Sequence, residues 1–440
     1  MLKYLSKKNM NMYPKILIIS NNCFSYSNSN GRTLANLFAS YNKDNVSQFY
    51  IHNDLPRFDV CNRYYCVSDS NVISNLKTGQ QVGRKVYESD FVNDGSSVYN
   101  KKSDSIKRKK TPFTALLRNL IWTIGRWKSK DYKNWIDNFS PDMILLQSGD
   151  SIFMLKIALD IAKKRGVPLV IYNSENYYFK DTNFMADCML GNLLYSVYIK
   201  WYRRQFKKTI SYASLSIYLC DMLKTTYDRE FSLSGITIMN STDIQVSSEQ
   251  IINTTPIVSY LGNLGLGRHE GLIEIANALQ NINSDIKLDV YGKIPDENTK
   301  KCILDCQGIN YKGFVSYDEV KNIMKKSDLL VHTENFSGFY REDLKFAFST
   351  KIADSLASGT CFFVYAPEEL AISEYLLSNG AACVVCDKAQ LQEKLKNLLN
   401  DFSLCKDYVN IAQQIAEKNH NKDRNVDLFL KKMIEVWKNY

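Results

Sequence analysis

The residues best suited to chemistry lie in the second half of the chain, in three short stretches. The first is Gly262-Asn263-Leu264-Gly265-Leu266-Gly267-Arg268, which follows the apolar run Ile257 to Leu261 and precedes a helical stretch from about Gly271 to Leu279. Backbone amides at a strand-to-helix junction can approach a phosphate closely, and the helix dipole favours an anion there. Gly262 is a candidate for that close approach, and Arg268 adds a guanidinium fork that matches a diphosphate. No Gly-Lys-Ser/Thr follows, so the loop is not a P-loop, and ordinary turn chemistry also accounts for the glycines. The second stretch runs from Ser349 to Gly359. Ser349 and Thr350 suit a helix N-cap, and Gly359 suits the C-terminal end. Lys351 then stands in the first turn, where a cation opposes the dipole unless an anion sits nearby. Thr350 and Lys351 are therefore candidate phosphate contacts. Asp354, one turn later on the same face, can take two vicinal hydroxyls such as those of a ribose. An exposed Lys/Asp pair is the other reading. The third stretch is His332-Thr333-Glu334-Asn335, directly after a strand, with Glu342 and Asp343 further along the same loop. An acidic, amide-rich loop at the carboxyl end of a parallel strand is a ligand-binding place, or else a solvated loop.

The first half offers two further positions. Gly31, after the first strand, would let the backbone close on a ligand. Glu175, in Asn173-Ser174-Glu175-Asn176 at another strand end, either orients or deprotonates an acceptor hydroxyl, or caps a helix. The four histidines form no nucleophile set and no metal spacing. The 11 cysteines show no zinc-ribbon spacing, and free thiols in that number suit a reducing cytosol.

The elements that must hold these residues alternate strand and helix. A β-branched apolar run at 14 to 20 and strand-like stretches at 46 to 51, 141 to 146, 169 to 172 and 213 to 219 are separated by helical stretches, and a second series starts at Ile257. That rhythm predicts an α/β protein of two Rossmann-like, doubly wound domains facing across a cleft. The expected boundaries are 14–242 for the first domain and 255–422 for the second, with a last helix at 423–440. The length suits two domains of about 200 residues each. Residues 67 to 110 read as a polar surface excursion. They end in the basic cluster containing Lys107, Arg108, Lys109 and Lys110, and an amphipathic stretch with Trp122 and Trp127 follows. Lys and Arg outnumber Asp and Glu by 56 to 46, which favours anionic partners. Because the charge is local, the excursion at about 98–137 points to an anionic membrane surface on the acceptor side, and not to nucleic acid. An ordinary core helix after a flexible loop is the alternative. No run of about twenty apolar residues occurs, and the N-terminus has no secretory apolar segment.

Taken together, Tyr260-Leu261-Gly262-Asn263-Leu264, Gly267-Arg268 and Ser349-Thr350-Lys351-Ile352-Ala353-Asp354-Ser355-Leu356-Ala357-Ser358-Gly359-Thr360 resemble the donor half of GT-B-fold glycosyltransferases. The group-4-type enzymes of bacterial surface polysaccharide and capsule synthesis are the most similar. Asn240-Ser241-Thr242-Asp243 resembles their interdomain Asn-Gly-x-Asp junction, with Ser241 in place of glycine. The resemblance implies a hexosyl-type transferase that uses a nucleotide-diphosphate sugar with retention and needs no cofactor or obligatory metal. It implies an acceptor-binding role for 14–242, a donor-binding role for 255–422 and a helix at 423–440 that crosses back to the first domain, together with a glycan or polyprenyl-linked acceptor and a cytoplasmic location, peripheral on the inner face of the plasma membrane. Arg268 and Lys351 would neutralise the diphosphate, and Asp354 matches the ribose-binding second acid of the E-x7-E motif. The first acid is replaced by Phe346, so Glu334 or Glu342 would contact the sugar instead. A sugar-nucleotide epimerase on the same fold, or a non-catalytic nucleotide-sugar or glycan-binding partner, is the other outcome.

Overall fold

The computed structural model describes residues 13–26, 29–79, 82–91, 110–186, 188–244 and 253–440. They form two compact units, one of Met1–Ile238 with Val426–Tyr440 and one of Met239–Asn425.

The first unit is built on an eight-stranded sheet: β1 Ile16–Ser20, β2 Val46–Tyr50, β3 Arg63–Cys66, β4 Arg84–Val86, β5 Met143–Gln147, β6 Leu169–Asn173, β7 Ala213–Tyr218 and β8 Ile236–Thr237. The strand order is β4-β3-β2-β1-β5-β6-β7-β8. Neighbours are parallel except β3 and β4. Helices cover both faces, so β1, β2, β5 and β6 are buried throughout, and β1, β5 and β6 read as largely apolar runs. The chain builds outward from β1 to the β4 edge and returns to lay β5 beside β1, with Ile16 opposite both Val46 and Met143. The loops after β1 and β5 therefore leave in opposite directions, which opens a crevice at that switch point.

The second unit repeats the plan with six parallel strands: β9 Val258–Leu261, β10 Leu288–Tyr291, β11 Ile309–Gly313, β12 Leu329–Thr333, β13 Cys361–Tyr365 and β14 Cys383–Val385, in the order β11-β10-β9-β12-β13-β14. Its switch point lies between β9 and β12, where Tyr260 stands opposite Val331. The last helix, Lys422–Asn439, returns the chain to the first unit. Val426, Phe429, Leu430 and Met433 join that unit's core, and the Phe429 ring meets Phe38 edge-on at 5.0 Å. Each unit is thus a Rossmann-like α/β domain.

The excursion contains a helix that its polar sequence hides, and the expected facing of its tryptophans is overturned. Residues 69–78 form a helix, Asp69–Thr78, opened by a reciprocal capping box between Ser68 and Asn71. It buries only Val72 and Asn75, so its apolar periodicity is too thin to read. Trp122 and Trp127 do not face a membrane or an acceptor, because both are buried. The Trp122 indole donates to Asp69 and stacks on Phe153 at 4.3 Å, and the Trp127 indole donates to the Trp122 carbonyl. Of the basic cluster, Lys107, Arg108 and Lys109 lie outside the described residues. Lys110 is tied to its own unit through an ion pair with Asp150.

Within the second unit, the junction segment is locked by a histidine. His420 is fully buried, with Nδ1 2.7 Å from the Asn240 carbonyl and Nε2 2.9 Å from the Tyr375 hydroxyl. A carbonyl only accepts, so Nδ1 carries the proton and Nε2 accepts from Tyr375. Burial pushes the imidazole down to about 4 from its ordinary 6.5. The neutral ring therefore stabilises the fold above pH 6.5, and that stabilisation is lost as pH falls through the shifted value. The loss should reach about 3 kcal/mol by pH ~4. Thermal midpoints at several pH values check this: His420→Gln should flatten the acid limb, and an unchanged limb would refute the assignment.

Candidate active site

At the carboxyl edge of β9 the chain turns through the glycine loop into the helix Arg268–Ile282. Gly267 has φ 71°, and an added Cβ would strike the Asn335 amide, so glycine is required there. Asn335, just past β12, donates to the Gly267 carbonyl at 2.9 Å and pins the loop to the neighbouring strand end.

Arg268 leaves this loop and meets Glu334, three residues past Val331 of β12. The two form a bidentate pair, Nε to Oε2 and Nη2 to Oε1, both at 2.9 Å. Remaining guanidinium N–H groups reach the Asn263 and Gly265 carbonyls at 3.5 and 3.4 Å. Glu334 is only 3% exposed and also lies 3.0 Å from His332 Nε2. Burial pushes the Glu334 carboxyl up, but the hydrogen bond from His332 and the Arg268 charge outweigh it and hold the carboxyl below its ordinary range. Burial lowers the His332 imidazole. Glu334 opposes that shift, and the charges of Arg268 and Lys351 add to it. His332 is thus neutral and donates from Nε2. Arg268 opens the helix after β9 and Lys351 the helix between the parallel strands β12 and β13, so both first turns lie at the carboxyl ends of neighbouring strands.

Lys351 enters from the helix Thr350–Ala357. Ser349 is its N-cap, accepting from the Lys351 amide at 3.4 Å, so Thr350 and Lys351 occupy the first turn as the spacing predicts. Asp354 is buried on this helix, and its Oδ1 accepts from the Thr242 hydroxyl at 2.6 Å and the Tyr317 hydroxyl at 3.2 Å. These two hydroxyls fix the carboxylate. The sequence reading missed both, because they come from the junction segment and from a separate helix, Tyr317–Lys326.

Other expectations are corrected. Gly262 does not offer its amide to a phosphate: that N–H donates to the Tyr291 carbonyl at 2.8 Å, stitching the ends of β9 and β10. Glu334 is not a lone carboxylate waiting for a sugar, since Arg268 and His332 hold it. Glu342 lies half-buried in the short helix Arg341–Leu344. Phe346, at the first acid's position, is a buried ring under Lys345.

In the first unit, the switch point carries a small cavity of about 40 Å³. Asn21, Asn22 and Asn30 line it from the β1 side, Gln147 and Ser148 from β5, and Glu175 from the loop after β6. Glu175 is its only carboxylate among the described residues, and the Tyr177 hydroxyl donates to it. Gly31 serves the chain itself, because a Cβ there would collide with the Cys23 carbonyl. No group of three or more His, Cys, Asp or Glu among the described residues is arranged to hold a metal ion.

Residues 241–415 match the family described as Glycosyl transferases group 1. No curated protein sequence matches the chain. Among solved structures, Anabaena Alr3699/HepE in complex with UDP-glucose is similar at a TM-score of 0.60 and 12% identity, over 97% of this chain and 100% of that one. A glycosyltransferase from Rickettsia africae ESF-5 is similar at a TM-score of 0.57 and 14% identity, over 97% and 100%. The pneumococcal O-GlcNAc transferase GtfA in complex with UDP and GlcNAc reaches a TM-score of 0.50 at 12% identity, over 70% and 60%. At such identities the likeness establishes the fold, which is the GT-B fold of two Rossmann-like domains.

Proposed function

We propose that the protein is a glycosyltransferase that moves a sugar from a nucleotide-diphosphate donor to a glycan or polyprenyl-linked acceptor in surface polysaccharide synthesis. The observation that supports this reading is that Arg268 opens the helix after β9 and that Lys351 and Asp354 stand on the helix between the parallel strands β12 and β13, next to β9 in the sheet, all within the residues that match the transferase family. Asp354 would take the ribose hydroxyls. Lys351 and the first-turn amides of its helix would stabilise the diphosphate as the anomeric C–O bond breaks and the sugar becomes oxocarbenium-like. Arg268 arrives already balanced by Glu334, so in this reading it shapes the loop as much as it adds charge. The reaction proceeds with retention, as the group-4-type resemblance implies. The setting is the cytoplasmic face of the plasma membrane.

Side-chain cations meet the diphosphate charge, and the reading requires no cofactor. Turnover is therefore expected to survive chelation by EDTA, measured as release of nucleoside diphosphate over a panel of donors. Loss of turnover that a divalent cation restores would overturn that part. In the first unit, Glu175 of the amide-lined cavity would orient an acceptor hydroxyl. Glu175→Gln should raise KM for the acceptor and lower kcat without moving the melting midpoint, because the side chain is exposed. Unchanged kinetics would remove Glu175 from the site.

Phe346 and the paired Glu334 favour a second reading, a nucleotide-sugar binder without turnover. The same panel separates the two, because such a protein would bind donor and release no nucleoside diphosphate.

A further inference from the structure

We infer that the exposed apolar face of the helices Pro112–Ile124 and Gly191–Ile210 in the first unit is a docking surface for an anionic lipid bilayer. The helix Pro112–Ile124 buries Pro112, Ala115, Asn119 and Trp122. On the opposite side Phe113, Leu117, Leu120 and Ile124 are 56, 43, 49 and 59% exposed. Their spacing of four, three and four residues places them in one line along the helix, where a surface helix ordinarily carries charge. Arg118, the one charged residue of this helix, turns aside to pair with Asp69 at 2.9 Å.

The helix Gly191–Ile210 packs beside it. A backbone hydrogen bond of 2.8 Å, from the Ala186 N–H to the Lys110 carbonyl, joins the segments leading into the two helices. Met189 and Leu190, at its start, are exposed, as are Leu193 and Val197. The same line then continues through Lys200, Arg204 and Lys208, all exposed. One stripe thus changes from apolar to cationic along its length, and neither helix contains a single Asp or Glu.

This charge pattern selects the occupant. A second copy meeting this face through a two-fold axis would bring like-charged cations together without acids to balance them. A bilayer presents acyl chains to the leucine stripe and phosphates to the lysines and arginines at once. No described helix is long and apolar enough to cross a membrane, so the face would rest on the surface. The inference rests on the transferase reading only for why a bilayer is useful, namely that a polyprenyl-linked acceptor resides there.

Co-sedimentation with vesicles of phosphatidylcholine, with and without phosphatidylglycerol, tests it. The protein is expected to bind the anionic vesicles at least about tenfold more tightly, with added salt weakening the difference. The double variant Leu117→Glu/Leu120→Glu should lower partitioning at least about tenfold, and Lys200→Glu/Arg204→Glu should remove the preference for phosphatidylglycerol, both with unchanged melting midpoints. Equal binding by all three proteins, or none by the wild type, would overturn the surface. So would a dimer, seen by light scattering, that Leu117→Glu/Leu120→Glu dissolves. Donor turnover is measured separately. Vesicle binding without nucleoside diphosphate release overturns the transferase reading alone, and release without vesicle binding overturns the docking surface alone.

Discussion

Replacing Lys351 by alanine is expected to lower kcat by about 10²–10³-fold while leaving the melting midpoint unchanged. The loss corresponds to about 2.7–4 kcal/mol of transition-state stabilisation, the scale set by removing one preorganised donor from a developing oxyanion. Lys351 sits in the first turn of Thr350–Ala357, where the helix dipole opposes a cation. That helix lies between β12 and the parallel β13, so its first turn stands at the carboxyl end of β12. The side chain is half-buried and outside the core cluster of its unit, and its removal should leave packing intact. Binding equal in ground and transition states would raise KM alone, whereas a phosphate contact that strengthens as the donor breaks lowers kcat. Lys351→Arg should recover part of the rate, because it keeps the charge and changes the hydrogen-bond geometry. Full activity in Lys351→Ala would end the phosphate assignment.

The parts of this fold that the sequence shows are those whose burial is two-sided. β1, β5, β6 and β13 are continuous apolar runs because helices cover both faces. The strands it hides lie at or near the sheet edges. β11 is Ile-Asn-Tyr-Lys-Gly, half open to solvent, β4 begins Arg-Lys and β14 has three residues. β3 carries the paired tyrosines Tyr64 and Tyr65, which fill opposite faces yet read as polar. The exposed leucine stripe of Pro112–Ile124 was visible as an amphipathic pattern, but with its tryptophans on the wrong side. An apolar helix in which Trp122 and Leu120 are equally hydrophobic gives no sign of which face turns inward. The candidate site was legible as residue types and not as pairings. Arg268 and Glu334 stand 66 positions apart, and only the placement of β12 beside β9 brings the two strand ends together.

That pairing changes what Arg268→Ala will do. On charge alone the variant would be a clean probe of diphosphate binding. In the structure it strips a carboxylate that is 3% exposed of its cationic partner and leaves neutral His332 as its donor. Breaking a buried pair from one side costs about 3–5 kcal/mol, so Arg268→Ala should lose stability as well as turnover. The wild-type Glu334 carboxyl is held below its ordinary 4.5, so its contribution is present above that pH and lost as pH falls through the depressed value. Without Arg268, burial acts unopposed by charge and raises the carboxyl. The deficit of the variant should then shrink on acidification, as a protonated Glu334 is tolerated in the interior. Arg268→Met/Glu334→Leu, which removes both charges at similar volume, should recover most of the melting midpoint and none of the lost turnover if the arginine also meets the donor. Recovery of both would make Arg268 a brace for the loop, leaving the diphosphate to Lys351 and its helix.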